Sequence, residues 1–296
     1  MQRVVVCGQS RATACVAATL IQSDLALALA VETPEPGAVA LPALEALATL
    51  GANQIQKATP KVLGMADVLV FTDYSDAPAA AQRASTVAQM RKVLNTAMAA
   101  GFGGVVLVAT QESAVGTFFA QRISGLPKTS VLGVGTQALT ACFRRFLATR
   151  LAVPVDTVTA YAVGTQRDYA LLWSRAYVGA TPVLSLLKDG DPAALMGDAV
   201  QACQAFADAA DEFVIAASVR RLIAALAGDA LLTPVATLVD AAETPLALSQ
   251  PMLIDARGVT QVARVSGSDA EQQEVAAITA GVMAKLTEIQ QESDEG

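Results

Sequence analysis

Short runs of valine and leucine, unbroken by polar residues, recur through the first 134 positions at Arg3–Cys7, Ala26–Val31, Val68–Thr72, Gly104–Ala109 and Ser130–Gly133. None shows the apolar–polar alternation of a strand with one wet face, so each is predicted as a strand buried on both sides. Between them, Ala12–Gln22, Leu41–Leu50, Thr86–Ala100 and Ser113–Ile123 carry helix-forming residues over helix-length windows. Strand and helix in strict alternation predict an α/β domain whose parallel sheet is doubly wound, with right-handed crossovers.

After Gly135 the rhythm changes. Helical Leu139–Leu151 is followed by strand-like Thr157–Val163, then by an alanine-rich helical stretch from Pro192 to Ala230 with a break at Ala209-Ala210-Asp211. Strands are predicted again at Val235–Val239, Met252–Ile254 and Val259–Val265. Ser266-Gly267-Ser268 then opens a final helix over Asp269–Gln291, whose first-turn acids complement the positive end of the helix dipole. This is the pattern of a mixed α+β lobe, so the predicted domains are 1–134 and 135–296.

Composition narrows the function classes. With 53% hydrophobic and 16% charged residues over 296 positions, the chain can bury a sizeable core. Its apolar runs are too short to cross a bilayer and it opens directly on a strand, so no membrane partner and a cytoplasmic location are expected. A net charge of −7 without a basic cluster argues against a nucleic-acid partner, and the acidic 288–295 tail is read as a solvated helix end. Cys7, Cys15, Cys142 and Cys203 form no C-x-x-C pair and the chain has no histidine, so free thiols and no metal cofactor are expected.

The first candidate for chemistry is the turn after the opening strand, Cys7-Gly8-Gln9-Ser10-Arg11-Ala12-Thr13. Its place, between strand and helix, is that of a Rossmann-type G-x-G-x-x-G phosphate loop, in which bare backbone approaches a pyrophosphate at a helix N-terminus. Only Gly8 stands in a glycine position; Ser10 and Thr13 occupy the other two, while Arg11 brings a compensating charge. Glu32, at the end of the second strand, has the spacing of a carboxylate that accepts from ribose hydroxyls.

A more specific resemblance follows. Gly101-Phe102-Gly103-Gly104-Val105-Val106-Leu107-Val108-Ala109-Thr110, Ser124-Gly125-Leu126-Pro127-Lys128 and Val131-Leu132-Gly133-Val134-Gly135-Thr136 resemble the bacterial lactate dehydrogenases of the lactate/malate dehydrogenase family, including their L-2-hydroxyisocaproate branch. The likeness continues through Phe143-Arg144, Thr157-Val158-Thr159-Ala160-Tyr161, Gly164-Thr165-Gln166-Arg167-Asp168 and Leu172-Trp173-Ser174. It implies a Rossmann-type domain followed by a mixed α+β substrate and oligomerisation lobe. NAD as cofactor, a small 2-keto or 2-hydroxy acid as substrate, and a homo-oligomer, dimer or tetramer, are implied with it.

Carried over residue by residue, the same resemblance implies a damaged site. Gln166 stands where the family has its catalytic histidine, Leu139 where it has the orienting aspartate, and Cys142 where it has the arginine that clamps the substrate carboxylate. A carboxamide has no titration near neutrality and cannot serve as the acid or base. The turn against the pyrophosphate reads Thr72-Asp73-Tyr74, the nicotinamide-contacting pair reads Gln111-Glu112, and the pocket threonine reads Asp211; Arg83 matches the mobile-loop arginine. Gly8, Ser10, Arg11, Glu32, Thr72 and Gln111 are thus the cofactor-site candidates, and Arg83, Gln166 and Asp211 the substrate-site candidates. The expected function is a non-catalytic or severely impaired homologue. Two alternatives stay open: an NAD-dependent oxidoreductase with a pocket rebuilt around Asp211 or Asp168, and a structural or regulatory subunit that assembles with an active paralogue.

Overall fold

The computed structural model describes residues 1–33, 39–77, 79–187, 191–239, 245–261 and 266–294, with their side chains except at 79 and 290–294. Through the first 134 residues run β1 (Gln2–Cys7), α1 (Arg11–Ile21), β2 (Leu27–Glu32), α2 (Leu41–Ala48), β3 (Ile55–Lys57), α3 (Pro60–Gly64), β4 (Val68–Phe71), α4 (Ala79–Ala99), β5 (Val105–Val108), α5 (Ser113–Ser124) and β6 (Val131–Gly133). Then come α6 (Gln137–Leu151), β7 (Val158–Thr159), β8 (Ala162–Gly164), β9 (Tyr169–Leu171), β10 (Tyr177–Val178) and β11 (Thr181–Pro182). The chain closes with α7 (Pro192–Ala209), α8 (Glu212–Ala227), β12 (Leu231–Val239), β13 (Leu246–Asp255), β14 (Gly258–Thr260) and α9 (Asp269–Asp294).

The strands of the first half are parallel, in the order β3-β2-β1-β4-β5-β6. Val4–Cys7 and Val68–Phe71 are at most 1% exposed, which is why their sequences lack alternation. The α/β, doubly wound reading therefore holds. Sequence reading passes over β3, whose three residues include an exposed glutamine and lysine, and α3, which Thr59 starts by accepting a hydrogen bond from Val62 N at 3.3 Å. It also starts α4 too late; the helix begins at Ala79, in an alanine run with high helix propensity.

The chain forms two compact units. The first comprises Met1–Val134, Asp211–Leu231 and Leu253–Thr260; the second comprises Gly135–Ala210, Leu232–Met252 and Gln261–Gly296. The block expected to run uninterrupted from 135 to 296 thus returns α8 and β14 to the first unit. Helix α8 packs along α1 and buries Ala216, Val219, Leu222, Ile223 and Leu226. Ion pairs Arg11–Glu212 and Arg220–Asp24 lie along the same helix pair. Exposed pairs contribute about 0–1 kcal/mol each, against roughly 1.5–3 kcal/mol for each fully buried large aliphatic side chain, so the apolar face decides where α8 docks.

In the second unit, Leu139, Phe143 and Leu147 of α6 meet Leu195, Ala199 and Cys203 of α7 in one buried cluster. The strand expected at Thr157–Val163 is broken. Val158–Thr159 pairs with β10 in a three-stranded antiparallel sheet, whereas Ala162–Gly164 pairs with β9. Arg144 sits at the break, donating from Nε to Ala160 O at 2.9 Å while its guanidinium stacks over Tyr161. At the start of α9, Ser268 N donates to Glu271 at 2.7 Å and Glu271 N to Ser268 Oγ at 3.4 Å, a reciprocal capping box. Residues 262–265 of the expected Val259–Val265 strand, and 295–296 of the acidic tail, lie outside the described residues.

Candidate functional site

Five of the six cofactor-site candidates come together where β1, β2 and β4 end, all within the first unit. Gly8 is required there by close approach: a Cβ would collide with Thr72 Oγ1 and lie 2.7 Å from Thr13 Oγ1. Those two hydroxyls are 2.8 Å apart, and Thr72 Oγ1 also donates to Cys7 O at 3.3 Å. Ser10 is buried beside them, with Oγ 3.5 Å from Thr13 Oγ1 and no capping bond to its own helix. Two of the three glycine positions of a phosphate loop are thus occupied by Ser10 and Thr13, whose buried hydroxyls cluster with that of Thr72.

The donors that a pyrophosphate needs at this turn are already engaged. Gln9 N and Ser10 N both donate to the carbonyl of Asp73, at 3.1 and 3.0 Å. Arg11 N, at the start of α1, donates to the Asp76 carboxylate at 3.2 and 3.3 Å, and the Arg11 guanidinium pairs with Glu212. A carboxylate of the chain therefore occupies the positive helix end that would attract a phosphate. Glu32 is engaged as well: the buried Tyr74 hydroxyl donates to Glu32 Oε2 at 2.8 Å, the bond a ribose hydroxyl would make. Burial raises the Glu32 pKa and the Tyr74 bond opposes that rise, while burial pushes the Tyr74 phenol far up. The two groups that would meet a dinucleotide, the α1 N-terminus and Glu32, are thus both engaged by the 73–76 segment after β4.

Gln111 and Arg83 belong to the adjoining part of the same unit. Gln111 N donates to Asp73 Oδ2 at 3.0 Å, and Thr86 Oγ1 lies 3.5 Å from Asp73 Oδ1. Burial pushes the Asp73 carboxyl up to about 6, against those two hydrogen bonds and with a further push from Glu112 and Asp76. Arg83 Nε donates to Glu112 Oε2 at 2.6 Å, a largely buried ion pair. Asp73, Arg83, Thr86 and Glu112 line a small cleft of about 20 Å³, room for roughly one water molecule.

Of the remaining candidates, Asp211 belongs to the first unit and Gln166, Leu139 and Cys142 to the second. Asp211 caps α8, its Oδ1 accepting from Phe213 N at 2.9 Å, and so serves the helix. In the second unit, Gln166 is half-buried in the β8–β9 turn, where Thr165 Oγ1 accepts from Arg167 N and Asp168 N at 3.3 and 2.9 Å. Leu139 is 4% exposed in the α6–α7 core, and Cys142 is half-buried against the same cluster. Sequence reading missed Asp76, Glu112 as the partner of Arg83, and Cys203 as the partner of Cys142. No local spacing links these pairs, and only the tertiary fold joins them. Among the described residues, no three His, Cys, Asp or Glu side chains gather to hold a metal, and no helix is long and apolar enough to cross a membrane.

The fold is shared with solved lactate dehydrogenases. The chain superimposes on the minor L-lactate dehydrogenase of Enterococcus mundtii with a TM-score of 0.85 over 97% of this chain and 98% of that one, at 22% identity. It also superimposes on MGS-M5, a lactate dehydrogenase from a deep-sea metagenome, with a TM-score of 0.80, covering 97% and 98% of the two chains at 20% identity. In sequence it is 30% identical over 190 residues to an L-lactate dehydrogenase of Halalkalibacterium halodurans, covering 62% of this chain and 61% of the relative. A 103-residue stretch is 38% identical to that of Geobacillus stearothermophilus, 34% of this chain and 32% of the relative. The matched segments thus span from about a third to three-fifths of these two relatives. No family model matches. In fold and in sequence the chain is lactate dehydrogenase-like.

Proposed function

We propose that this chain is a non-catalytic lactate dehydrogenase-like protein, in which the NAD cradle is closed by its own side chains and the proton relay is lost. The observation that supports this best is the 73–76 segment. Asp73 O takes the Gln9 and Ser10 amides, Asp76 takes the α1 N-terminus, and Tyr74 takes Glu32. Without histidine, and with Gln166, Leu139 and Cys142 at the three positions discussed, no titratable imidazole, orienting carboxylate or carboxylate clamp is available for 2-keto acid reduction.

Calorimetric titration with NADH tests the reading. No saturable binding is expected at about 1 mM cofactor, the range where binding is worth only about 4 kcal/mol, and no pyruvate, oxaloacetate or 2-ketoisocaproate reduction. Saturable micromolar binding with turnover would overturn it. For a rebuilt-pocket oxidoreductase, Asp211 caps α8 and Arg83 pairs with Glu112, which leaves Asp168 and Arg167 as the groups such a pocket would use.

A homo-oligomer, dimer or tetramer, remains part of this proposal, as does assembly with an active paralogue. Val200 on α7 and Phe213 at the start of α8 are 51% and 66% exposed, apolar area that an assembly would cover. Light scattering on the purified chain, alone and mixed with an active lactate dehydrogenase, separates self-assembly from co-assembly.

A further inference from the structure

Two cysteines of the second unit are left without a role by the reading above. Cys142 is half-buried on α6, and Cys203 on α7 is completely buried in the cluster that also holds Leu139, Phe143 and Ala199. They lie on facing helices in that cluster, and Cys142 Sγ donates to the carbonyl oxygen of Ala202, the residue before Cys203, at 3.9 Å. Both are free. The charged and titratable groups around them are Arg145 on α6, Asp208 on α7 and Tyr169 on β9.

The two sulfurs are not equivalent. The Cys203 thiol donates to Cys142 and so favours the Cys142 thiolate; burial opposes this, Arg145 assists, and the Cys142 pKa ends below that of an ordinary thiol. The same bond, together with burial, pushes Cys203 up. Cys7 and Cys15 are both raised, in each case chiefly by burial. Cys142 is therefore the most readily ionised of the four thiols, it is partly open to solvent, and Cys203 belongs to the cluster against which it packs.

We propose that Cys142 and Cys203 form a peroxide-sensitive dithiol, in which Cys142 is oxidised first and Cys203 resolves it to a disulfide joining α6 and α7. The Cys142 thiolate attacks one oxygen of a hydroperoxide and the O–O bond breaks. The departing oxide takes up the proton that Cys142 released, leaving a sulfenic acid on Cys142. The Cys203 sulfur then attacks the Cys142 sulfur; an S–S bond forms, the S–O bond breaks, and the hydroxyl leaves as water with the Cys203 proton. For hydrogen peroxide, two thiols are oxidised and the peroxide is reduced to two waters. A dithiol reductant returns the pair to its starting state.

The test treats the native full-length chain with hydrogen peroxide, blocks remaining thiols with maleimide during unfolding, and maps the cysteines by mass spectrometry. Expected are maleimide adducts on Cys7 and Cys15, a single cross-linked peptide containing Cys142 and Cys203, and recovery of both thiols with dithiothreitol. In Cys203→Ser, dimedone should trap a sulfenic acid on Cys142; in Cys142→Ser, Cys203 should stay reduced. Native protein that retains maleimide-reactive Cys142 and Cys203 while Cys15 is oxidised would overturn the proposal. So would oxidation of Cys203 at an undiminished rate in Cys142→Ser.

Discussion

Leu139 and Asp73 illustrate how a side chain's surroundings set its chemistry. Leu139 packs with Phe143 and Leu147 in the second unit's core, so Leu139→Asp should lower the unfolding free energy by about 3–5 kcal/mol in urea denaturation, the cost of an unpaired buried charge. Gln166→His, in a half-buried turn, should leave stability near that of the parent and pyruvate reduction undetectable. Asp73 makes a pH prediction. Its pKa is about 6 in the folded chain and near 3.8 unfolded, so the native state holds the proton more tightly. The associated stability is fully present below about pH 4 and is lost as pH rises through about 6. Two pKa units correspond to roughly 3 kcal/mol, and Asp73→Asn should remove most of that decline. Unfolding curves of both proteins at about pH 4 and about pH 7 check it; parallel pH dependence would sink the assignment to Asp73.

At the scale of elements, caps and packing faces explain what the candidate residues do. Asp211→Ala should cost about 1 kcal/mol by removing the N-cap of α8, with no change in any ligand binding, as read by denaturation and calorimetry together. A pocket residue would show the opposite pattern. The β1, β2, β4, β5 and β6 strands were legible because burial on both faces leaves continuous apolar runs. The break within Thr157–Val163 was not, because local hydrophobicity reveals neither the switch of partner from β10 to β9 nor Arg144 as the partner of Ala160. For the same reason α8 read as part of the second lobe: its amphipathic pattern announces a buried face but does not name α1 as the surface that covers it.

For the whole molecule, the proposed closure of the cradle and the proposed loss of the relay make separate predictions. A variant combining Gln166→His, Leu139→Asp and Cys142→Arg should show no NADH oxidation with 2-keto acids, because those changes leave the 73–76 segment in place. Tyr74→Phe with Asp76→Asn, which frees Glu32 and removes the charge at α1, should instead gain measurable NADH affinity over the parent, still without turnover. Calorimetry on both variants distinguishes the two defects. Equal, tight NADH binding by the parent and the Tyr74/Asp76 variant would show that the segment does not obstruct the cofactor.

The sequence by itself determined the α/β class, the parallel sheet and the likeness to lactate dehydrogenases, because these reside in local periodicity and in residue identity; the proposed departures at Gln166, Leu139 and Cys142 rest on residue identity alone. Only the tertiary structure decided that Asp76 meets Arg11 N across 65 positions and Tyr74 meets Glu32 across 42. It alone brought Glu112 to Arg83 and Cys203 to Cys142. The physical reason is that hydrogen bonds and ion pairs act over a few ångströms of space, and the chain's path between two such partners leaves no periodic trace in the residues that separate them.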